Sequence, residues 1–164
     1  MNHLEFMIEA YKEAEKNALN NFEDGGPFGA VVVKDGKIIG RGRNNVLSSH
    51  NPTAHAEITA IEDACNYLKS HDLTGCVLYA TCYPCAMCLS AIMWSHIKEV
   101  YYGNTNEDAV SIGFGKDGTI YNAINNVHTG REEDNKGILE LHQVGREKTI
   151  ETFEKFKNLK GELY

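Results

Sequence analysis

Apolar residues in the first segment recur at helical spacing. Leu4, Met7, Ile8, Tyr11, Ala14 and Ala18 fall on one face, with charged residues between them, which predicts an amphipathic helix. Gly25-Gly26-Pro27 then breaks the chain. The period changes after the break. Ala30-Val31-Val32-Val33 and Ile38-Ile39 flank Lys34-Asp35-Gly36-Lys37, and Asp-Gly between β-branched runs predicts a hairpin. A second helix is expected over 53–69, with Thr53 as N-cap after Pro52 and Ala54, Ile58, Ala60, Ile61, Ala64 and Leu68 as its apolar positions. Residues 76–81 read as a buried strand. Residues 85–94 read as a third helix with Pro84 at or near its first turn, where a missing N–H costs nothing. Residues 99–102 form another strand. Glycine, asparagine and short apolar pieces over 104–130 predict short helices in long loops. A last strand at 138–144 and an amphipathic helix at 147–159 complete the chain. The order α-β-β-α-β-α-β-loop-β-α implies an α/β sandwich around one sheet.

A length of 164 residues, without internal repeats or a linker, suits one domain over 1–164 with a real core. No apolar run reaches the ~18 residues of a membrane span, and the N-terminus does not have the form of a secretory signal. The expected compartment is therefore the cytoplasm. The net charge of −7 disfavours a nucleic-acid partner, whose binding rests on neutralising phosphates. It leaves a small neutral substrate open.

The cysteines are Cys65, Cys76, Cys82, Cys85 and Cys88. An odd set with three members inside seven residues fits metal binding or catalysis better than a disulfide framework. Cys65 and Cys76 read as small buried hydrophobes. Cys85 and Cys88 are three apart, so they share one face in the first turn of a helix. The free N–H groups and positive dipole end there favour thiolate. His55 opens the preceding helix and completes a three-ligand set for Zn²⁺, one per subunit, leaving a fourth position for water as in catalytic sites. Zinc lowers the pKa of such a water and yields hydroxide near neutral pH. Glu57 then serves as the proton shuttle. Taken singly, a His at a helix start is usually a cap, a Glu two residues later usually faces solvent, and a Cys pair at this spacing is ambiguous. Together, H-x-E followed by P-C-x-x-C is the signature of zinc nucleobase deaminases.

The segments GGPFGAVVVKDGKIIGRGRNNV, NPTAHAEITAI and CVLYATCYPCAMCLSAIMWSHIKEVYYG, with a tail ending in Tyr, carry a resemblance over nearly the whole chain. It is to the cytidine deaminase superfamily, and within it to the small bacterial guanine deaminases. The resemblance implies a three-layer α/β/α fold with a mixed five-stranded sheet, a homodimer, and deamination of a purine base: guanine and water to xanthine and ammonia by zinc-bound hydroxide. By matching positions it implies that Phe28 stacks on the base, Asn44 hydrogen-bonds it, the Ala56 N–H meets a ring carbonyl and Trp94 lines the pocket. It makes Glu147 the counterpart of a second shuttling acid. It also implies that the tail 157–164, ending at Tyr164, closes a site, often the neighbouring subunit's, by an exchanged C-terminal segment. Two departures stand out. Tyr83 occupies the place where many relatives have Glu before Pro-Cys, and where guanine deaminases often place an Asp soon after Gly-Phe to meet the base, this chain has Gly113-Phe114-Gly115-Lys116-Asp117, so that Asp117 fills that role from a longer loop or not at all.

Other readings compete. tRNA adenosine deaminases share the site but need a positive surface. Cytosine, adenine, a triazine or a pterin suits the same chemistry. Cys82-Tyr83-Pro84-Cys85 has the C-x-P-C form of dithiol oxidoreductases, but that reading leaves His55, Glu57 and Cys88 without work. A purely structural zinc site would not need Glu57. His3, His50, His71, His96, His128 and His142 receive no role.

Overall fold

The computed structural model describes residues 2–114 and 140–159. The elements are α1 (His3–Leu19), β1 (Gly29–Lys34), β2 (Lys37–Arg43), α2 (Val46–Ser49), α3 (Ala56–Leu68), β3 (Val77–Cys82), α4 (Ala86–Trp94), β4 (Glu99–Asn104), α5 (Asn106–Ser111), β5 (Glu140–Gln143) and α6 (Arg146–Leu159). The five strands form one sheet in the order β2-β1-β3-β4-β5. β1 runs antiparallel to β2 and β3, whereas β3, β4 and β5 are parallel. The sheet is therefore mixed, as expected.

Strand alternation divides the core into two layers. Val31, Val33 and Tyr79 face Met7 and Ala10 of α1. Ala30, Val32, Leu78, Ala80 and Val100 face the opposite way, against Ala60 and Ala64 of α3 and Leu89 and Ile92 of α4. A third cluster joins Ala18, Cys82 and Phe114 to Phe153 and Phe156 of α6. The result is α1 and α6 on one face and α3 and α4 on the other.

The β1–β2 connection has Asp35 at φ 49° and Gly36 at φ 75°. Positive φ at both central residues is what a type I′ turn requires, and Asp-Gly supplies it at low steric cost. Beyond a bulge between Val32 and Val33, β2 passes directly beneath α3. A Cβ at Gly42 would lie 2.1 Å from the Ala56 carbonyl oxygen, and one at Gly40 would lie 2.3 Å from that of Ala60. These two glycines thus set how closely α3 approaches the sheet.

The structure corrects the start of the second predicted helix. It begins at Ala56 with His55 as N-cap, not at Thr53. Asn51 Oδ1 accepts from the Thr53 N–H at 3.0 Å and from its hydroxyl at 2.7 Å. The Asx turn consumes Thr53, so its hydroxyl cannot cap. The one-turn helix α2 was not expected. Asn44 Oδ1 starts it by accepting from Val46 N–H at 3.1 Å. Within the segment 104–130, α5 is described and opens with a Thr105–Asp108 capping box. No helix among the described residues is long and apolar enough to cross a membrane.

Candidate active site

The parallel strands β3 and β4 end side by side, with Cys82 paired to Asn104. Crevices at the carboxyl ends of parallel strands are where open α/β sheets bind ligands. The chain leaving β3 runs through Tyr83 and Pro84 into α4, whose N-cap is Cys85. The Tyr83 N–H donates to the Asn104 carbonyl at 2.8 Å, fixing this loop to β4. His55 is the N-cap of α3, in extended conformation and without a side-chain capping bond. Cys85 has the same extended backbone and no capping bond. Both N-cap side chains turn instead toward one another.

His55 Nδ1 lies 3.6 Å from Cys85 Sγ and 3.6 Å from Cys88 Sγ, and the two sulfurs are 3.6 Å apart. Tetrahedral zinc, with Zn–S and Zn–N bonds of about 2.3 and 2.0–2.1 Å, places such donors roughly 3.5–3.8 Å from each other. Among the described residues this trio is the one group of metal-ligand side chains that converges in this way. The donor set and its spacing therefore fit zinc. Two helix N-termini border it, which favours anionic sulfur.

The electrostatics point the same way. The hydrogen bond with Cys88 pulls the Cys85 thiol down to about 4 against the cost of burial, with help from His55. That same bond, burial and the Glu57 charge push Cys88 up. For His55, burial opposes the imidazolium, but the Cys85 bond and the Glu57 charge outweigh it and raise its pKa. The three donors thus share and compete for protons within a small volume. A dication replaces those protons and stabilises both thiolates.

Glu57 sits in the first turn of α3 and is buried. Burial, then the Cys85 charge, raises its pKa above the ordinary carboxylate range. A buried carboxyl whose pKa is raised by its surroundings is the kind of group that serves general acid–base catalysis.

Residues 1–104 match the cytidine and deoxycytidylate deaminase zinc-binding region. The chain belongs to that deaminase family. The deaminase is 49% identical over 124 residues to a guanine deaminase of Bacillus subtilis, a match covering 76% of this chain and 78% of the relative. It is 35% identical over 149 residues to a tRNA-specific adenosine deaminase of Agrobacterium fabrum, covering 88% and 92%. The solved structure of guanine deaminase from Bacillus subtilis superposes with a TM-score of 0.68 at 39% identity, covering 96% of this chain and 95% of that one. The deaminase is a zinc-dependent aminohydrolase, and His55, Cys85 and Cys88 are positioned to bind the metal.

The other expected site residues fall in different places. Phe28 is half-buried, edge-on to Phe114 at 5.0 Å and to Phe153 at 5.6 Å. Asn44 is buried, its Oδ1 fixed by Val46 N–H. Its side-chain N–H group donates to no acceptor among the described residues. Ala56 is the first residue of α3, so its N–H has no acceptor within the helix. Trp94 ends α4 with 82% of its surface exposed. Glu147 is exposed in the first turn of α6. Asp117 and Tyr164 lie outside the described residues. Tyr83 packs edge-on to Tyr102 at 5.1 Å, and the Cys82 thiol is buried and pushed well up by that burial, which does not suit a dithiol exchange centre. Sequence reasoning passed over Asn17 and Asn104, both fully buried. An amide at an otherwise apolar position of α1, three residues after Ala14, was the available signal for Asn17.

Proposed function

We propose that this deaminase hydrolyses guanine to xanthine and ammonia. The observation that carries the substrate is the 49% identity over 124 residues to a guanine deaminase. The Agrobacterium fabrum relative favours a second reading, adenosine deamination in tRNA, at 35% identity. The net charge of −7 opposes it, because each phosphate contact needs a cation.

In this reading the Phe28 ring lies against the face of the base. Asn44 offers its side-chain amide N–H to an acceptor on the base edge, and the Ala56 N–H meets the ring carbonyl. A planar ligand needs such a flat apolar wall with a few fixed polar groups. Zinc, held by His55, Cys85 and Cys88, supplies Lewis acidity that makes water nucleophilic near neutral pH. Glu57 takes one proton from the attacking water and passes it to the ring nitrogen N3, then takes the proton of the new C2 hydroxyl and delivers it to the departing exocyclic amine. Water adds at C2, the C2–N bond breaks, and ammonia leaves.

The same reading gives Glu147 a second proton-transfer role and has Asp117 meet the base. It makes the protein a single-domain homodimer in which the segment 157–164, ending at Tyr164, closes the neighbouring subunit's site. What supports a dimer is the exposure of two large aromatics, Trp94 on α4 and Tyr67 on α3. In such a dimer Trp94 completes the pocket wall. We place the enzyme in the cytoplasm because the five cysteines are free thiols, and two of them must stay reduced to bind metal.

The test is to incubate zinc-loaded protein separately with guanine, adenine, cytosine, guanosine and a tRNA substrate, scoring ammonia and the deaminated product. Xanthine from guanine alone is expected. Inosine in tRNA without xanthine would establish the second reading instead.

A further inference from the structure

Asn17 of α1 is fully buried and holds two distant stretches of main chain. Its Nδ2 donates to the Gly26 carbonyl at 2.9 Å and to the Asn44 carbonyl at 2.5 Å. Both amide protons are thereby used. Turning the amide over would set its oxygen against two carbonyl oxygens, so the orientation is fixed. The cost is visible: Asn17 Oδ1 is buried and has no hydrogen-bond partner among the described residues. A buried unpaired acceptor is expensive, and the orientation that leaves Oδ1 so placed is the one that lets Nδ2 hold both carbonyls.

What the two carbonyls carry gives the feature its meaning. Gly26 packs beneath the Phe28 ring; a Cβ there would lie 2.7 Å from Phe28 Cε2 and 2.6 Å from Phe114 Cζ. Gly25 runs against the Asn44 side chain, where a Cβ would meet Oδ1 at 2.2 Å. The Asn44 N–H donates to the Phe28 carbonyl at 3.1 Å. The aromatic wall and the polar edge of the proposed pocket are thus the two stretches that one buried amide ties together.

We infer that Asn17 is a positioning residue for the substrate, setting the spacing between the Phe28 ring and the Asn44 amide. This rests on the reading of Phe28 and Asn44 as the base clasp. Asn17 touches neither the reacting atoms nor the ligand trio, so its influence falls on binding rather than on proton transfer.

The test compares zinc-loaded wild type with Asn17→Leu, which keeps the branched shape of the side chain, is somewhat larger, and loses both donors. The guanine KM is expected to rise about tenfold with kcat within about threefold, because a misplaced clasp weakens binding and orientation. One zinc per subunit is retained, and hydrogen exchange at the Asn44 amide accelerates. Asn17→Ser, which keeps one donor, is expected to raise KM about threefold, and it decides the matter if the leucine variant does not fold. An unchanged KM in a folded variant overturns the inference. So does a joint fall of kcat, zinc content and melting temperature without a selective KM change, which is what a merely structural amide would give. If wild type releases no xanthine, the guanine reading fails on its own. The role of Asn17 is then tested in the same way, by the KM for the base or tRNA that is turned over and by exchange at Asn44.

Discussion

Thr149 and Asn104 hydrogen-bond each other twice. The Thr149 hydroxyl donates to Asn104 Oδ1 at 2.9 Å, and Asn104 Nδ2 donates to the Thr149 carbonyl at 3.1 Å, with both residues fully buried. The main-chain carbonyl of Asn104 accepts from Tyr83 N–H, so this pair connects α6 to the loop that delivers Cys85. Thr149→Val keeps the shape and deprives Asn104 Oδ1 of its donor. The variant is expected to lose about 1–3 kcal/mol of stability, the usual cost of a stranded buried polar atom. A urea melt reads it, and an unchanged midpoint would show that the pair does not anchor α6.

The ligand trio and Glu57 should separate cleanly in mutants. Cys85→Ser and Cys88→Ser each remove one corner of a triangle with 3.6 Å sides, and purified protein should carry little zinc by elemental analysis. Glu57→Gln leaves the donors in place and should keep full zinc content. Its kcat should fall by at least about 10²–10⁴-fold, the range for a lost general acid–base.

Gly42 lets α3 rest on β2, with no room for a Cβ beside the Ala56 carbonyl. Gly42→Ala must lift the start of α3, which carries His55 and Glu57. We expect a destabilisation of about 1–3 kcal/mol, as for other overpacked sites, together with weaker zinc retention in a chelator competition. Gly36→Ala meets no neighbouring atom and should leave zinc retention unchanged.

Acid sensitivity should include a contribution from Asp108. The Arg146 hydrogen bond, and after it those from Thr105, hold this carboxyl below its usual range. A carboxyl depressed in the folded state stabilises the protein above its unfolded pKa, about 3.9. That contribution is lost as pH falls through the lower folded value. Asp108→Asn should therefore flatten the dependence of the melting temperature on pH below about 4. Identical slopes in wild type and variant would show that the pair does not couple to folding.

Much of this was legible in the chain itself, for physical reasons. Asp35-Gly36 demands positive φ and receives it, so the hairpin was readable. Cys85 and Cys88 share a helical face by spacing alone, so the sulfur pair was readable too. The Thr105–Asp108 capping box was present as a pattern but lay among weak signals. The start of α3 was misplaced because propensity favours Thr53 as a cap. The structure gives that place to His55, whose ring is directed at sulfur rather than at its own helix. Asn17 showed only as a polar residue at an apolar position of α1; its role was not legible, because its partners are main-chain carbonyls 9 and 27 residues away, which side-chain patterning does not encode. The exposure of Trp94 at the end of α4 was not legible, because helical spacing does not say which face a single protomer leaves open.

The most direct test of the account measures zinc content and xanthine release on one preparation in three states: as loaded with zinc, after chelation, and after zinc is restored. The account predicts about one zinc per subunit, xanthine and ammonia from guanine in equal amounts, loss of both on chelation, and their return with the metal. Full guanine turnover by the chelated, zinc-free protein would contradict it.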